Sequence, residues 1–258
     1  MEIKGYLRHL KSISGLSLQL AKSNFKLRNE GSFFGIFWYL LEPLSLFLII
    51  VGLRAMLGGG GIEHYPLYLL LGLIMFNFFS GTTSRATSLI ISNANFIKSM
   101  KINHESLIVS QVVEGIFSHF FEILLFVFFM VYFKVQIIWI LFYFIILFFL
   151  SLFVLGMSFI LSTIGAYVND LNNVWRVITR LLFFITPLFY VLSEDSAIYT
   201  INLFNPMYYF ILITRELVIY HVVPSIKLIG IVMGMSLIVF LVGVYIFEKF
   251  KYKFAEVV

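Results

Sequence analysis

Long apolar stretches constrain this chain more than any other feature. Runs of spanning length lie at Phe33 to Ala55, Pro66 to Ile91, Ser106 to Phe133, Ile137 to Tyr167, Val174 to Leu192 and Ile226 to Phe247. A helix needs roughly 20 apolar residues to cross the bilayer hydrocarbon, and several of these runs exceed that, which leaves room for tilt. With 61% hydrophobic and only 12% charged residues, soluble and disordered chains are excluded. A transmembrane β-barrel would alternate polar and apolar residues in segments of about ten, and none is visible. The expected fold class is therefore an all-α membrane protein with six transmembrane helices.

The basic residues orient these helices. Lys4, Arg8, Lys11, Lys22, Lys26 and Arg28 precede the first span, with no apolar block that fits a cleavable signal, so the first span reads as a retained anchor. If the N-terminus is cytoplasmic and the chain crosses six times, Arg85, Lys98, Lys101, Arg176, Arg180, Lys249, Lys251 and Lys253 also fall inside. Only Arg54, Lys134, Arg215 and Lys227 fall outside. The bias favours both termini in the cytoplasm of a multi-pass inner-membrane protein. Within the basic lead, Leu16 to Asn29 sets Leu16, Leu20 and Leu27 among Gln19, Lys22, Lys26 and Arg28. That mixture suits an amphipathic helix lying at the headgroups against membrane lipids, or a solvated basic tail.

A seventh candidate, Ala197 to Val222, carries Asn202, Asn205, Pro206, Arg215 and Glu216, and its apolar parts are each too short to span. Were it to cross, the basic tail would move outside. A re-entrant helical hairpin turning near Asn205 and Pro206 is expected instead, since irregular backbone at depth is tolerated only where protein or water shields it. One membrane domain, 1–258, results: a lead at 1–32, five spans in 33–192, the hairpin at 197–222, a sixth span at 226–247 and a cytoplasmic tail at 248–258. No repeat of two halves is evident.

Chemistry-bearing motifs are missing. There is no cysteine, no G-x-x-x-x-G-K-[ST] phosphate loop, no H-E-x-x-H and no G-x-S-x-G. The glycines at 58 to 61 lack a following lysine, and the five histidines are scattered, so no metal site is expected. The chain is read as a non-enzyme that binds no cofactor itself and no nucleic acid. The inner loop holds Asn95, Phe96, Ile97, Lys98, Met100 and Lys101. Its apolar side chains, read as exposed beside basic flanks, suit either docking in a groove of a cytoplasmic partner or an ordinary interfacial loop.

Ionisable and polar residues within spans are costly enough to be singled out. Glu42 shares a helical face with Trp38 and Ser45, and Gln111, Glu114, Ser118 and Glu122 form a stripe near His119. These line a hydrated path or act as interhelical glue. Ser151, Ser158, Ser162 and Gly165 form a close-packing face, and Thr179, Phe183, Thr186 and Tyr190 line up at helical spacing, a surface suited to a sliding sugar chain.

An ordered set of short matches over nearly the whole chain resembles the membrane subunits of ABC type-2 exporters of the polysaccharide (O-antigen, capsule, teichoic acid) export family. They are Lys26-Leu27-Arg28, the run Gly35 to Pro43 with Trp38, Tyr39 and Glu42, Tyr68 to Ile74, Ser84-Arg85, Asn95 to Lys98, Phe204-Asn205-Pro206-Met207 and Arg215-Glu216-Leu217. The resemblance implies a homodimer with a channel on its two-fold axis and two copies of a separate cytoplasmic ABC ATPase carrying ATP and Mg. It also implies an ATPase-coupling helix at Asn95 to Lys101, a gate helix bearing Lys22, Lys26 and Arg28, and an outward path for a lipid-linked polysaccharide past Trp38, Tyr39 and Glu42. One departure is Lys101-Ile102-Asn103, where many members carry a proline. Rival readings are a type-2 exporter of a drug or lipid, an intramembrane sugar transferase, and a purely structural subunit.

Overall fold

The structure, a computed structural model, describes residues 2–57, 61–99, 103–193 and 195–254, with side chains from Ile13 onward. Among these residues there is no strand. The helices are α1 (Glu2–Asn29), α2 (Trp38–Met56), α3 (Tyr65–Ala86), α4 (Leu89–Ser92), α5 (Ala94–Ser99) and α6 (Glu105–Tyr132). They continue with α7 (Ile140–Tyr167), α8 (Leu171–Ile185), α9 (Ala197–Asn202), α10 (Pro206–Val218) and α11 (Ile226–Phe250). Five helical stretches, those of α2, α3, α6, α7 and α11, are long and apolar enough to cross a membrane.

The central post is α3. It is apolar on all sides, and every residue from Leu67 to Phe76 is buried, as expected of a helix enclosed by others. Around it stand α2, α6, α7, α8 and α10. By contrast α2 leaves Leu41, Leu48, Ile49, Leu53 and Met56 exposed, a face for lipid or for another chain. A smaller cluster, with Ile90, Ile97, Leu107, Phe159, Phe247 and Phe254, closes one end of the bundle.

Small residues set the tightest helix contact. Gly156 of α7 faces Gly243 of α11, and a Cβ added at either would strike the other helix's backbone. Gly165 meets the backbone of Thr87 just after α3, while Ser158 and Ser162 are buried on the same helix. Of the close-packing face read from the sequence, Ser158, Ser162 and Gly165 are therefore buried or in close contact, and Ser151 is half-buried. The pairs Gly156–Gly243 and Phe159–Phe247 advance together along the two helices, so α7 and α11 run in the same direction. Whatever lies between them must carry the chain back.

That return departs from the sequence reading. The predicted span Val174 to Leu192 is helical only to Ile185: α8 has 15 residues, about 22 Å at helical rise, against roughly 30 Å of hydrocarbon. Pro187 is the cause. It pushes Thr186 out of the helical region, to ψ 133°, and the chain continues without helix to α9. The supposed stripe of Thr179, Phe183, Thr186 and Tyr190 is broken at this point. Thr179 and Thr186 are buried inside the protomer, and Tyr190 folds back to donate its hydroxyl to Ile185 O at 2.5 Å.

The lead also differs. It is one helix, α1, and it lies along the first half of α6 in the same direction: Ile13 shares a cavity with Val109, and Phe25 packs on Phe117 and Phe121. Buried Ser17 and Ala21, with partly buried Leu20 and Phe25, recur at helical spacing and form the face that α6 covers. Leu27 is exposed. Ile13, Glu105 and Lys251 line one cavity, so the beginning of α1 and the end of α11 lie at the same end of the bundle.

Candidate functional site

Two polar regions are built into this apolar frame. The first is a cleft of about 110 Å³ between α1, α2, α3 and α6, lined by Arg28, Tyr39, Glu42, Asn77, Ser80, Gly81, Thr82, Arg85, Gly115, Ser118, His119 and Glu122. Arg28 reaches in from the last turn of α1 and pairs with Glu114 Oε1 at 3.2 Å. Its guanidinium also lies 5.1 Å from the centre of the Tyr39 ring, which stacks on Phe25 at 5.7 Å. Arg28, expected from the resemblance on a gate helix, and Tyr39 and Glu42, expected on a path, thus meet at one place. Lys22 and Lys26 are exposed and Trp38 lies on the outside of α2.

The polar stripe on α6 divides its labour. Gln111 is glue, its Nε2 donating to Thr82 O at 2.7 Å. His119 is buried between two partners, with Nδ1 2.6 Å from Glu122 Oε2 and Nε2 2.6 Å from the Tyr143 hydroxyl. A neutral imidazole serves both by donating from Nδ1 and accepting from the phenol. Tyr143, from α7, had no polar signal in the sequence that set it apart from 13 other tyrosines. Arg85 did: an arginine in the last turn of an otherwise apolar span is conspicuous.

The second region surrounds Arg215, which is 3% exposed. Its guanidinium holds main chain only: Nε and Nη2 donate to Tyr68 O, Nη1 to Pro187 O at 2.7 Å, and Nη2 also to Leu188 O at 2.9 Å. It packs 3.3 Å from the centre of the Tyr68 ring. Two tyrosines complete the work, Tyr65 donating to Phe189 O and Tyr68 to Tyr190 O. All four carbonyls of the non-helical segment 187–190 are therefore satisfied, which irregular backbone needs wherever water is excluded. Burial pushes the Arg215 pKa down to about 10, so the group stays protonated at neutral pH.

The turn between α9 and α10 falls at Asn205 and Pro206, as expected. Asn205 caps α10, accepting from Met207 N at 3.0 Å, and Pro206 takes the first helical position. Asn202 donates to Ile185 O, closing the end of α8. Glu216 is half-buried beside Arg215 and lines a 330 Å³ cavity with Tyr68, Tyr208 and Tyr220. Burial raises its carboxyl above the usual range.

The loop ahead of α6 forms the short helix α5, with one change from expectation. Ile97 is not exposed; it is buried in the end cluster and anchors the helix, while Asn95 and Lys98 face outward and Phe96 is half-buried. The alternation follows from helical spacing, which turns Ile97 away from its neighbours. Lys101 and Met100 lie outside the described residues.

Five helices long and apolar enough to cross a membrane, with a basic helix tied to the bundle by Arg28, describe an integral membrane protein. The sequence profile of the ABC-2 type transporter family matches residues 16–219, and the chain belongs to that family. It is similar to two proteins of Klebsiella pneumoniae named O-antigen export system permease protein RfbA, at 27% and 26% identity over 247 residues, 94% of each chain. A Myxococcus xanthus protein of the same name is 24% identical over 254 residues, 97% of this chain and 98% of that one.

Proposed function

We propose that this chain is the permease subunit of an ATP-driven exporter moving a lipid-linked polysaccharide outward across the cytoplasmic membrane. It works as a homodimer with two copies of a cytoplasmic ABC ATPase, which carries the ATP and Mg. The observation that carries this reading is the end-to-end similarity to O-antigen export permeases, which favours a glycan over a drug or a free lipid. The Arg28 cleft and the aromatic contacts at Tyr39 give the substrate path a polar inner mouth beside the gate helix.

Topology follows from the parallel run of α7 and α11. In the proposed arrangement α8 begins at the cytoplasmic side, and the non-helical residues after Thr186 complete a sixth crossing. The hairpin α9–α10 then dips from the outer side, so both termini face the cytoplasm. The chain has no cysteine, so single cysteines report this directly. Ser14→Cys and Tyr252→Cys react with impermeant maleimide only after the membrane is opened, whereas Lys134→Cys reacts in intact cells. Labelling of Tyr252→Cys from outside defeats the arrangement.

Energy enters at α5, held by Ile97 and presenting Asn95 and Lys98. In the assembled transporter, Asn95→Ala with Lys98→Glu is expected to lower glycan export by about tenfold, the scale of one lost charge-assisted contact, with the subunits still folded. Undiminished export and ATPase activity in this variant would remove the coupling assignment.

A further inference from the structure

One charged side chain in the cleft has no direct bond within the protein. Arg85 makes no hydrogen bond and no ion pair among the described residues, and its Nε is sealed from solvent. Glycines stand beside the guanidinium: a Cβ at Gly115 would be in ordinary contact with Nη2 at 3.5 Å, and one at Gly81 with Nη1 at 3.9 Å. None of the carboxylates at or near the cleft bonds to Arg85 among the described residues, although Glu42 lines the cleft. Glu114 is held by Arg28, Glu122 by His119, and Glu42 is exposed on α2. Glu114 and Glu42 offset part of the Arg85 charge from a distance, but neither bonds to it, and a ligand that supplies an oxyanion gives the half-buried guanidinium the direct partner it lacks.

The chemistry of that ligand follows from the fork and the space. A guanidinium offers paired N–H donors that match two oxygens of a tetrahedral phosphoryl group. The cleft, at about 110 Å³, has room for such a group and not for an oligosaccharide. Polar residues at the end of a spanning helix lie where lipid phosphates lie. We infer that Arg85 receives the phosphoryl oxyanion of a membrane-embedded ligand, the phosphate that joins lipid to cargo. The identity of the ligand as cargo rests on the function proposed above; the phosphoryl site does not.

The test measures binding of three lipids to the purified chain with its ATPase: a long-chain polyprenyl phosphate, the matching polyprenol, and phosphatidylglycerol. Arg85→Gln is expected to weaken polyprenyl phosphate binding about tenfold or more and to leave polyprenol binding unchanged, with Arg85→Lys in between. Glu42→Gln, on an exposed position that does not threaten folding, is expected to strengthen phosphate binding several-fold by removing a facing negative charge. Equal polyprenyl phosphate affinity in native protein and Arg85→Gln, or weaker binding in Glu42→Gln, overturns the site. If both phosphate lipids bind alike and both depend on Arg85, the phosphoryl site stands and the lipid-linked cargo loses its support. Dependence confined to polyprenyl phosphate supports both.

Discussion

Arg215→Gln is expected to loosen the packing of α3 and α10 against the segment after Pro187 more than any other single substitution of similar size. The guanidinium supplies the only described donor to Leu188 O, the shorter of two to Pro187 O, where the Tyr68 hydroxyl stands at 3.4 Å, and two to Tyr68 O. Glutamine can reach at most part of that set. Each buried carbonyl left unpaired costs about 1–3 kcal/mol, so the loss is roughly 3–5 kcal/mol, a large share of a marginal stability. In detergent the melting temperature should fall by about 10 °C. Protease sites at 187–196 should open first. Lysine does not rescue it, because one ammonium cannot span carbonyls on α3 and on the segment after Pro187. Gly72→Ala should act in the same direction, since its Cβ would stand 2.7 Å from Arg215 Nη2. A melting temperature within about 2 °C of native for Arg215→Gln would mean that the segment is held by something else.

What the sequence made legible here was the part governed by local rules. Apolar length located α2, α3, α6, α7 and α11, and the turn at Asn205-Pro206 was readable because asparagine caps and proline starts helices. The failure at Val174 to Leu192 came from weighing hydropathy above backbone chemistry. Pro187 was in view, and its effect on Thr186 ends the helix whatever the hydropathy of Leu188 to Leu192. Arg215 was singled out as a residue too polar to cross, but not as the donor to a segment 27 and 28 residues upstream, because that pairing depends on tertiary approach. The same holds in the cleft around Arg28. Spacing put Glu114 and Glu122 near one face of α6, yet it could not say that one faces Arg28 on α1 and the other His119 and Tyr143. Partners across helices set the roles of these carboxylates.

The Arg28–Glu114 pair gives the second large expected effect, and this one falls on export. Glu114 is buried and Arg28 is about half exposed, with side-chain exposures of 9% and 43%, so solvent screens the pair and its direct contribution to stability is small, about 1 kcal/mol or less. Breaking it from either side is another matter. Arg28→Glu sets a second carboxylate against Glu114, and Glu114→Arg crowds three guanidinium groups into the cleft with Arg28 and Arg85. Either change pushes the end of α1 away from α6, where Tyr39 stacks on Phe25 and Phe121. If α1 is the gate helix, each single variant lowers glycan export by about tenfold or more while α6 remains folded, because like charges brought together cost several kcal/mol. The double variant, with the signs exchanged, restores the attraction and should recover most of the export. A structural tie alone would show recovery in melting temperature without recovery in transport. Single variants that export at the native rate would show that the contact between α1 and α6 does not control the path.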